Sequence, residues 1–80
     1  MMARVTVLYF ASLRDAAGVA SEAIEADGTL RAVYESLRAR HGFALSQERL
    51  RVAVDGAFAR WDDAVRDGSE VAFIPPVSGG

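Results

Sequence analysis

Short strand-like runs lie towards both ends of the chain, and one strongly helical pattern lies between them. Residues 4–10 are rich in β-branched and aromatic side chains, which is typical of a strand. Residues 11–17 are mostly helix formers and stop at Gly18, which predicts a short helix closed by a glycine. Residues 21–26 indicate a second, weaker strand.

The central helix has clear start and stop signals. Asp27-Gly28 predicts a turn, and Thr29 suits the N-cap position because its hydroxyl can accept a free backbone N–H. Apolar side chains then recur at helical spacing over residues 30–41, and Gly42 ends the helix.

A hairpin and a final strand complete the pattern. Residues 50–54 alternate, Asp55-Gly56 is a strong two-residue hairpin turn, and residues 57–61 return as its second strand. Asp67-Gly68 predicts another turn, and residues 70–74 predict the last strand. The order is therefore strand, short helix, strand, helix and three strands.

This order predicts an α+β fold of the β-grasp type, a mixed sheet with one main helix packed on one face. The first and last strands are expected to lie side by side in the middle of the sheet. We assign residues 1–74 to this domain and residues 75–80 to an extended C-terminal tail that ends in Gly-Gly.

One face of the sheet is predicted to stay uncovered, because a single helix covers only one side. Alternation puts valines of the first, third and last strands towards the helix. Leu8, Phe10, Phe58 and Ile74 then share the other face, where a contiguous apolar group marks a partner-binding surface. Two alternatives stay open: single exposed apolar residues are common, and a bulge would shift the alternation.

The composition narrows the classes of function. The 80 residues make one small domain, and the apolar fraction of 51% is enough for a single core. The absence of cysteine excludes disulfides, thiolate metal sites and sulfur held on a side chain. The net charge of −2, without a basic block, argues against a nucleic-acid partner.

The basic residues and the hydropathy pattern add two expectations. All nine basic residues are arginine, so the chain's own side chains cannot accept an isopeptide bond. No signal-peptide pattern and no stretch of transmembrane length is present, so we expect a soluble, cytoplasmic protein without a membrane partner.

The usual catalytic constellations are missing. His41 is the only histidine and is interpreted as a packing or capping residue of the helix. Asp62-Asp63 is interpreted as a solvated turn, since adjacent carboxylates do not converge on a metal without other ligands. The serines have no histidine nearby in sequence, and no glycine-rich phosphate loop occurs. We therefore expect no active site and no metal site within the chain.

The final residues are the part of the sequence that says most about its chemistry. Gly79-Gly80 cannot help packing, but it gives a slim backbone whose carboxylate can enter a narrow active site of another protein. A frayed terminus is the alternative, although Pro75-Pro76 stiffens the base of the tail. A fully extended tail from Pro75 onwards reaches about 20 Å.

A carboxylate needs activation before it reacts. Adenylation by an ATP-using partner converts it to an acyl phosphate anhydride, from which a sulfur nucleophile displaces AMP. Because the chain has no cysteine, a terminal thiocarboxylate is the simplest way for it to hold sulfur.

Both ends of the chain resemble one family. Residues 4–15, RVTVLYFASLRD, and residues 67–80, DGSEVAFIPPVSGG, are similar to the opening and the ending of the small, MoaD-type sulfur-carrying subunits of molybdopterin synthase. The resemblance implies a ubiquitin-like β-grasp fold. It also implies that an E1-like enzyme adenylates Gly80 and that a cysteine desulfurase or rhodanese-type donor supplies sulfur for the thiocarboxylate.

The resemblance further implies the partners and the site. Sulfur passes to cyclic pyranopterin monophosphate inside the large subunit of molybdopterin synthase, giving the dithiolene of molybdopterin within a heterotetramer. The carrier binds no cofactor, and the partner adenylating enzyme uses ATP and magnesium. The implied partner-binding residues are Phe10, Arg14, Phe58, Ile74, Pro75, Pro76, Val77, Ser78 and Gly79.

Three rival interpretations remain. A carrier for thiamin synthesis shares the fold and the Gly-Gly but lacks the Phe-Ile-Pro-Pro run that precedes the tail here. A carrier for tRNA thiolation, or a ubiquitin-like protein modifier, shares the chemistry. A pure interaction module of ubiquitin-like shape needs no free terminal Gly-Gly.

Overall fold

The computed structural model describes residues 2–76 as a five-stranded sheet with one long helix, one short helix and one 3-10 turn. Its elements are β1 (Ala3–Tyr9), α1 (Ser12–Ala17), β2 (Ser21–Ala26), α2 (Leu30–His41), a 3-10 turn (Gln47–Arg49), β3 (Arg51–Val54), β4 (Ala57–Phe58) and β5 (Glu70–Ile74). No helix among the residues described is long and apolar enough to cross a membrane.

The sheet is mixed, with the strand order β2-β1-β5-β3-β4. β1 and β5 pair in parallel, whereas the other three neighbouring pairs are antiparallel. The first and last strands are therefore adjacent inside the sheet, and the predicted β-grasp fold is confirmed. The division of the chain at residue 74 stays a prediction.

The core lies between the sheet and α2. On β1, alternate residues are buried, and Val7 and Tyr9 lie opposite Val71 and Phe73 of β5. The aromatic ring of Tyr34 on α2 contacts Phe73, with 5.1 Å between the ring centroids. Other large side chains that are fully buried include Leu13, Leu30, Val5 and Val52.

Both helices end as their sequences predict. The hydroxyl of Thr29 accepts a hydrogen bond from the N–H of Ala32 at 3.2 Å, which satisfies one free donor at the start of α2. Gly42 adopts a left-handed φ of 73° after α2, and Gly18 does the same after α1. A side chain at either glycine is strained by this backbone conformation.

The second strand of the hairpin is shorter than predicted, ending at Phe58 rather than continuing to residue 61. The physical reason lies in the free N–H groups at the start of α2. The carbonyl of Asp63 accepts from Leu30 at 2.9 Å, and that of Trp61 accepts from Arg31 at 3.0 Å. After the hairpin, the chain therefore turns away from β3. Its carbonyls instead accept hydrogen bonds from the first N–H groups of α2. The 3-10 turn was not predicted.

Candidate partner-binding face

The side of the sheet away from α2 is apolar at its centre. We call the group formed by the following six residues the open face: Leu8, Phe10, Ala53, Phe58, Ala72 and Ile74. Phe58 is 69% exposed and Phe10 is 44% exposed, although both are large apolar side chains. The predicted uncovered apolar group is thus present, and its role in binding stays a prediction.

The hairpin between β3 and β4 presents Phe58. Asp55 and Gly56 have φ values of 51° and 86°, the two positive angles that a type I′ turn requires. This turn places Ala53 directly opposite Phe58, so both side chains project on the open face. The carboxylate of Asp55 also accepts from the N–H of Glu70 at 2.9 Å, which ties the hairpin to β5.

A tight turn at the end of β1 presents Phe10. The N–H of Leu13 donates to the carbonyl of Phe10 at 3.1 Å, so residues 10–13 form a β-turn. Ala11 occupies its second position with φ 52° and ψ −123°, which are the angles of a type II′ turn. Glycine dominates that position, so alanine there is strained.

Two adjoining hollows lie along the open face. The first has a volume of about 280 Å³ and is lined by Leu8, Phe10, Ala53, Gly56, Phe58, Glu70, Ala72 and Ile74. The second has a volume of about 480 Å³ and is lined by Glu48, Arg49, Leu50, Arg51, Phe58, Ile74, Pro75 and Pro76. Phe58 and Ile74 border both hollows, so the apolar surface continues to the base of the predicted tail.

The remaining predicted site residues lie either away from the open face or outside the described residues. Arg14 is exposed on α1 and borders another shallow hollow, together with Asp15 and Gly18, rather than either hollow of the open face. The tail residues Val77, Ser78, Gly79 and Gly80 lie outside the described residues. Their predicted roles stay predictions.

A polar cluster beside the core was not predicted. The hydroxyl of Tyr9 donates to Oε1 of Glu22 at 2.5 Å, and Nε2 of His41 lies 2.8 Å from the same oxygen. The ring of His41 also meets that of Tyr9 edge-on, at 5.7 Å between centroids. His41 therefore packs at the end of α2, as predicted, but it also joins α2 to β2 through Glu22.

The cluster sets the ionisation of two of its members. Burial raises the pKa of Tyr9 far above its ordinary value, and the hydrogen bond to Glu22 raises it further. The hydrogen bond from Tyr9 is the main cause that lowers the pKa of Glu22, and His41 contributes, while burial opposes this shift. Glu22 is thus an anion that accepts hydrogen bonds from Tyr9 and His41. We interpret the cluster as one that holds strands and helix together. The strand and helix patterns put Tyr9 and His41 among the apolar positions, but they carried no signal of the pairing with Glu22.

The acidic pair Asp62-Asp63 lies in an exposed turn, as predicted. Asp62 pairs with Arg31, and a carboxylate oxygen of Asp63 accepts from the N–H of Arg60 at 3.0 Å. Within residues 2–76, no three histidine or acidic side chains lie close enough to hold a metal ion.

Comparison with known proteins gives a consistent family. A model described as the ThiS family matches residues 7–80. The molybdopterin synthase sulfur carrier subunit of Haemophilus influenzae is 38% identical over 80 residues, covering 95% of this chain and 99% of that relative. Two solved structures are similar along nearly their whole length.

The first is a Pyrococcus furiosus chain with the provisional name molybdopterin converting factor, subunit 1. It superposes with a TM-score of 0.78 at 31% identity, and the match covers 94% of this chain and 99% of that one. The second is small archaeal modifier protein 1 from Methanosarcina acetivorans, with a TM-score of 0.80 at 26% identity, covering 100% of this chain and 99% of that one. Since the family model spans all but the first six residues and the Haemophilus relative aligns with almost the entire chain, this chain belongs to the ThiS family.

Proposed function

We propose that this chain is the sulfur carrier subunit of molybdopterin synthase and that the carboxylate of Gly80 carries the sulfur. The observation that carries the proposal is the continuity of the open face with the base of the tail at Pro75 and Pro76. A partner that covers the open face is therefore also next to the point at which the tail begins, and can bind the residues after Pro76. The family match to residue 80 and the name of the Haemophilus relative support the same role.

The proposed chemistry takes place at the terminal carboxylate. A carboxylate oxygen of Gly80 attacks the α-phosphorus of ATP on an E1-like enzyme, and pyrophosphate leaves. The terminal sulfur of a persulfide on a desulfurase or rhodanese-type donor then displaces AMP and forms an acyl disulfide. A second thiol cleaves its S–S bond, which releases the thiocarboxylate and leaves a disulfide on the donor side. In the synthase, that sulfur bonds to cyclic pyranopterin monophosphate, and water cleaves the acyl–sulfur bond, so the sulfur stays on the pterin and the carrier returns as the carboxylate.

The division of labour follows from what the chain lacks. The full sequence contains no cysteine and no phosphate-binding loop, so activation falls to the partner enzyme, which uses ATP and magnesium. The carrier itself binds no cofactor in this proposal. Its partners are the large subunit in a heterotetramer, the E1-like enzyme and the sulfur donor. We place the reaction in the cytoplasm.

A second candidate function is conjugation to other proteins. It is favoured by the likeness to small archaeal modifier protein 1 of M. acetivorans over the whole chain. Both functions begin with the same adenylate at Gly80. They differ in the acceptor, which is a pterin precursor for the carrier and a lysine amine of another protein for the modifier.

Mass spectrometry of the intact protein tests the proposal. Incubation with ATP, the E1-like enzyme and a sulfur donor is expected to add about 16 Da, because sulfur replaces one oxygen. Adding the large subunit and cyclic pyranopterin monophosphate is expected to remove this increment and to produce molybdopterin. A variant without Gly80 is the control and should remain unmodified.

The competing outcomes are distinct in the same experiment. Covalent adducts on the lysines of other proteins, without molybdopterin formation, would assign the modifier function. A chain that acquires neither sulfur nor AMP in the presence of active partners would refute both candidates.

A further inference from the structure

The open face carries opposite charges at its two ends. Arg51, the first residue of β3, lies directly opposite Ile74 in the strand register, at the end next to the tail. Glu70, the first residue of β5, borders the hollow at the other end. Ile74 lies four residue steps after Glu70 on the same strand, so the charged ends are about 13 Å apart.

Local contacts place the side chain of Arg51 and the backbone of Glu70. The guanidinium of Arg51 lies over the ring of Phe58, 5.5 Å from its centroid, which holds the cation against an exposed aromatic side chain of the open face. Glu70 is anchored through its N–H to the exposed carboxylate of Asp55. Within residues 2–76, neither Arg51 nor Glu70 forms an ion pair, so both charges are available to a partner.

The surroundings preserve this polarity. Near Arg51, the second hollow is bordered by Arg49 and Glu48, whose charges cancel each other. Near Glu70, Asp55 adds a second negative charge. The end next to the tail is therefore net positive, and the far end is net negative.

We propose that these opposite charges fix the orientation in which the large subunit of molybdopterin synthase covers the open face. The matching surface presents a carboxylate opposite Arg51 and a cation opposite Glu70, with apolar side chains between them. Apolar contact is non-directional and by itself permits rotated arrangements. In a rotated arrangement like charges meet, which disfavours it relative to the complementary one. This inference rests on the proposed function, because it names that partner.

Orientation matters because the tail has a limited reach. The four residues that follow Pro76 span at most about 13 Å when fully extended. Reversing the carrier on its partner moves the base of the tail from one end of the open face to the other, a similar distance. The tail cannot compensate for such a shift and still place Gly80 at the same point.

Charge reversal tests the proposal with the full-length carrier and the purified large subunit. Arg51→Glu and Glu70→Arg are each expected to weaken binding about tenfold at low ionic strength, because each puts like charges in contact. Arg66→Glu and Glu35→Arg make the same charge changes at exposed positions outside the open face. These controls should change the dissociation constant by less than about twofold.

Salt and folding are measured in parallel. At high ionic strength the variants at positions 51 and 70 should approach the wild-type affinity, because salt screens the unfavourable charge contacts. Thermal unfolding of each variant shows whether the fold is retained. The neutral variants Arg51→Gln and Glu70→Gln provide a second measurement and should give smaller losses with the same salt dependence.

The outcomes separate this inference from the proposed function. Wild-type affinity of both reversal variants, together with weakened binding of Phe58→Ala, would overturn the orientation role and leave the docking surface in place. Wild-type affinity of Phe58→Ala as well would overturn the docking surface itself. Equal losses of binding affinity for the open-face variants and for the control variants would show that binding responds only to the net charge of the carrier. That result would also overturn the inference.

Discussion

The strained turn at Ala11 gives a quantitative test of how the open face is held in place. Ala11 has φ 52° and ψ −123°, a combination that glycine adopts freely and other residues rarely do. A non-glycine residue in such a region costs about 1–3 kcal/mol of folding free energy. Substituting glycine removes this cost, but glycine loses about 0.4–1 kcal/mol more backbone entropy on folding.

The net expectation for Ala11→Gly is a gain of roughly 1 kcal/mol in the free energy of unfolding. For a domain of this size, that gain corresponds to a rise in Tm of about 4–8 °C. Urea and thermal unfolding, followed by circular dichroism, measure both quantities. Ala16→Gly is the matched control, since Ala16 is an exposed residue inside α1, where glycine costs about 1 kcal/mol. A loss of stability in Ala11→Gly comparable to that of the control would refute the assignment of strain to this turn.

Three further predictions concern binding, ionisation and the tail. Phe58→Asp should weaken binding to the large subunit by about 2 kcal/mol or more in calorimetry, whereas its unfolding free energy should change by about 0.5 kcal/mol; a variant that unfolds would place Phe58 in the core. Because the pKa of Glu22 is lowered from 4.5 and that of Tyr9 is raised from 10.0, both contribute stability between these values. That stability is lost as the pH falls below about 4.5 or rises above about 10, and Glu22→Gln and Tyr9→Phe should flatten the acid and alkaline limbs respectively in unfolding curves across pH. Deleting Gly80 should leave Tm unchanged and abolish the mass increase produced by the activating enzyme and sulfur donor; a lower Tm would give Gly80 a structural role.

Local signals explain why the sequence predicted most of the strands and helices. The turn at Asp55-Gly56 needs two positive φ angles, and these residue types tolerate them. The hairpin register followed, and with it the face on which Phe58 lies. The caps at Thr29 and Gly42 were equally local, which is why the bounds of α2 agree with the prediction.

The features that were missed depend on contacts between distant residues. β4 ends early because carbonyls of residues 61 and 63 satisfy the start of α2, a partnership about 30 residues apart in sequence. Glu22 was part of a weak strand, and its bonds to Tyr9 and His41 depend on how β2 and α2 meet. The hydrophobic periodicity of a single strand or helix carries no information on contacts between two elements.

The central position of β5 has a mechanical consequence. β5 is bonded on one side to the parallel strand β1 and on the other to the antiparallel strand β3. Tension applied beyond Ile74, along the axis of β5, loads both ladders in shear, so many hydrogen bonds share the force instead of breaking one at a time. An edge strand has only one such ladder to resist extraction. A partner that grips the residues after β5 can therefore pull on the carrier, and release it again, without drawing the last strand out of the sheet.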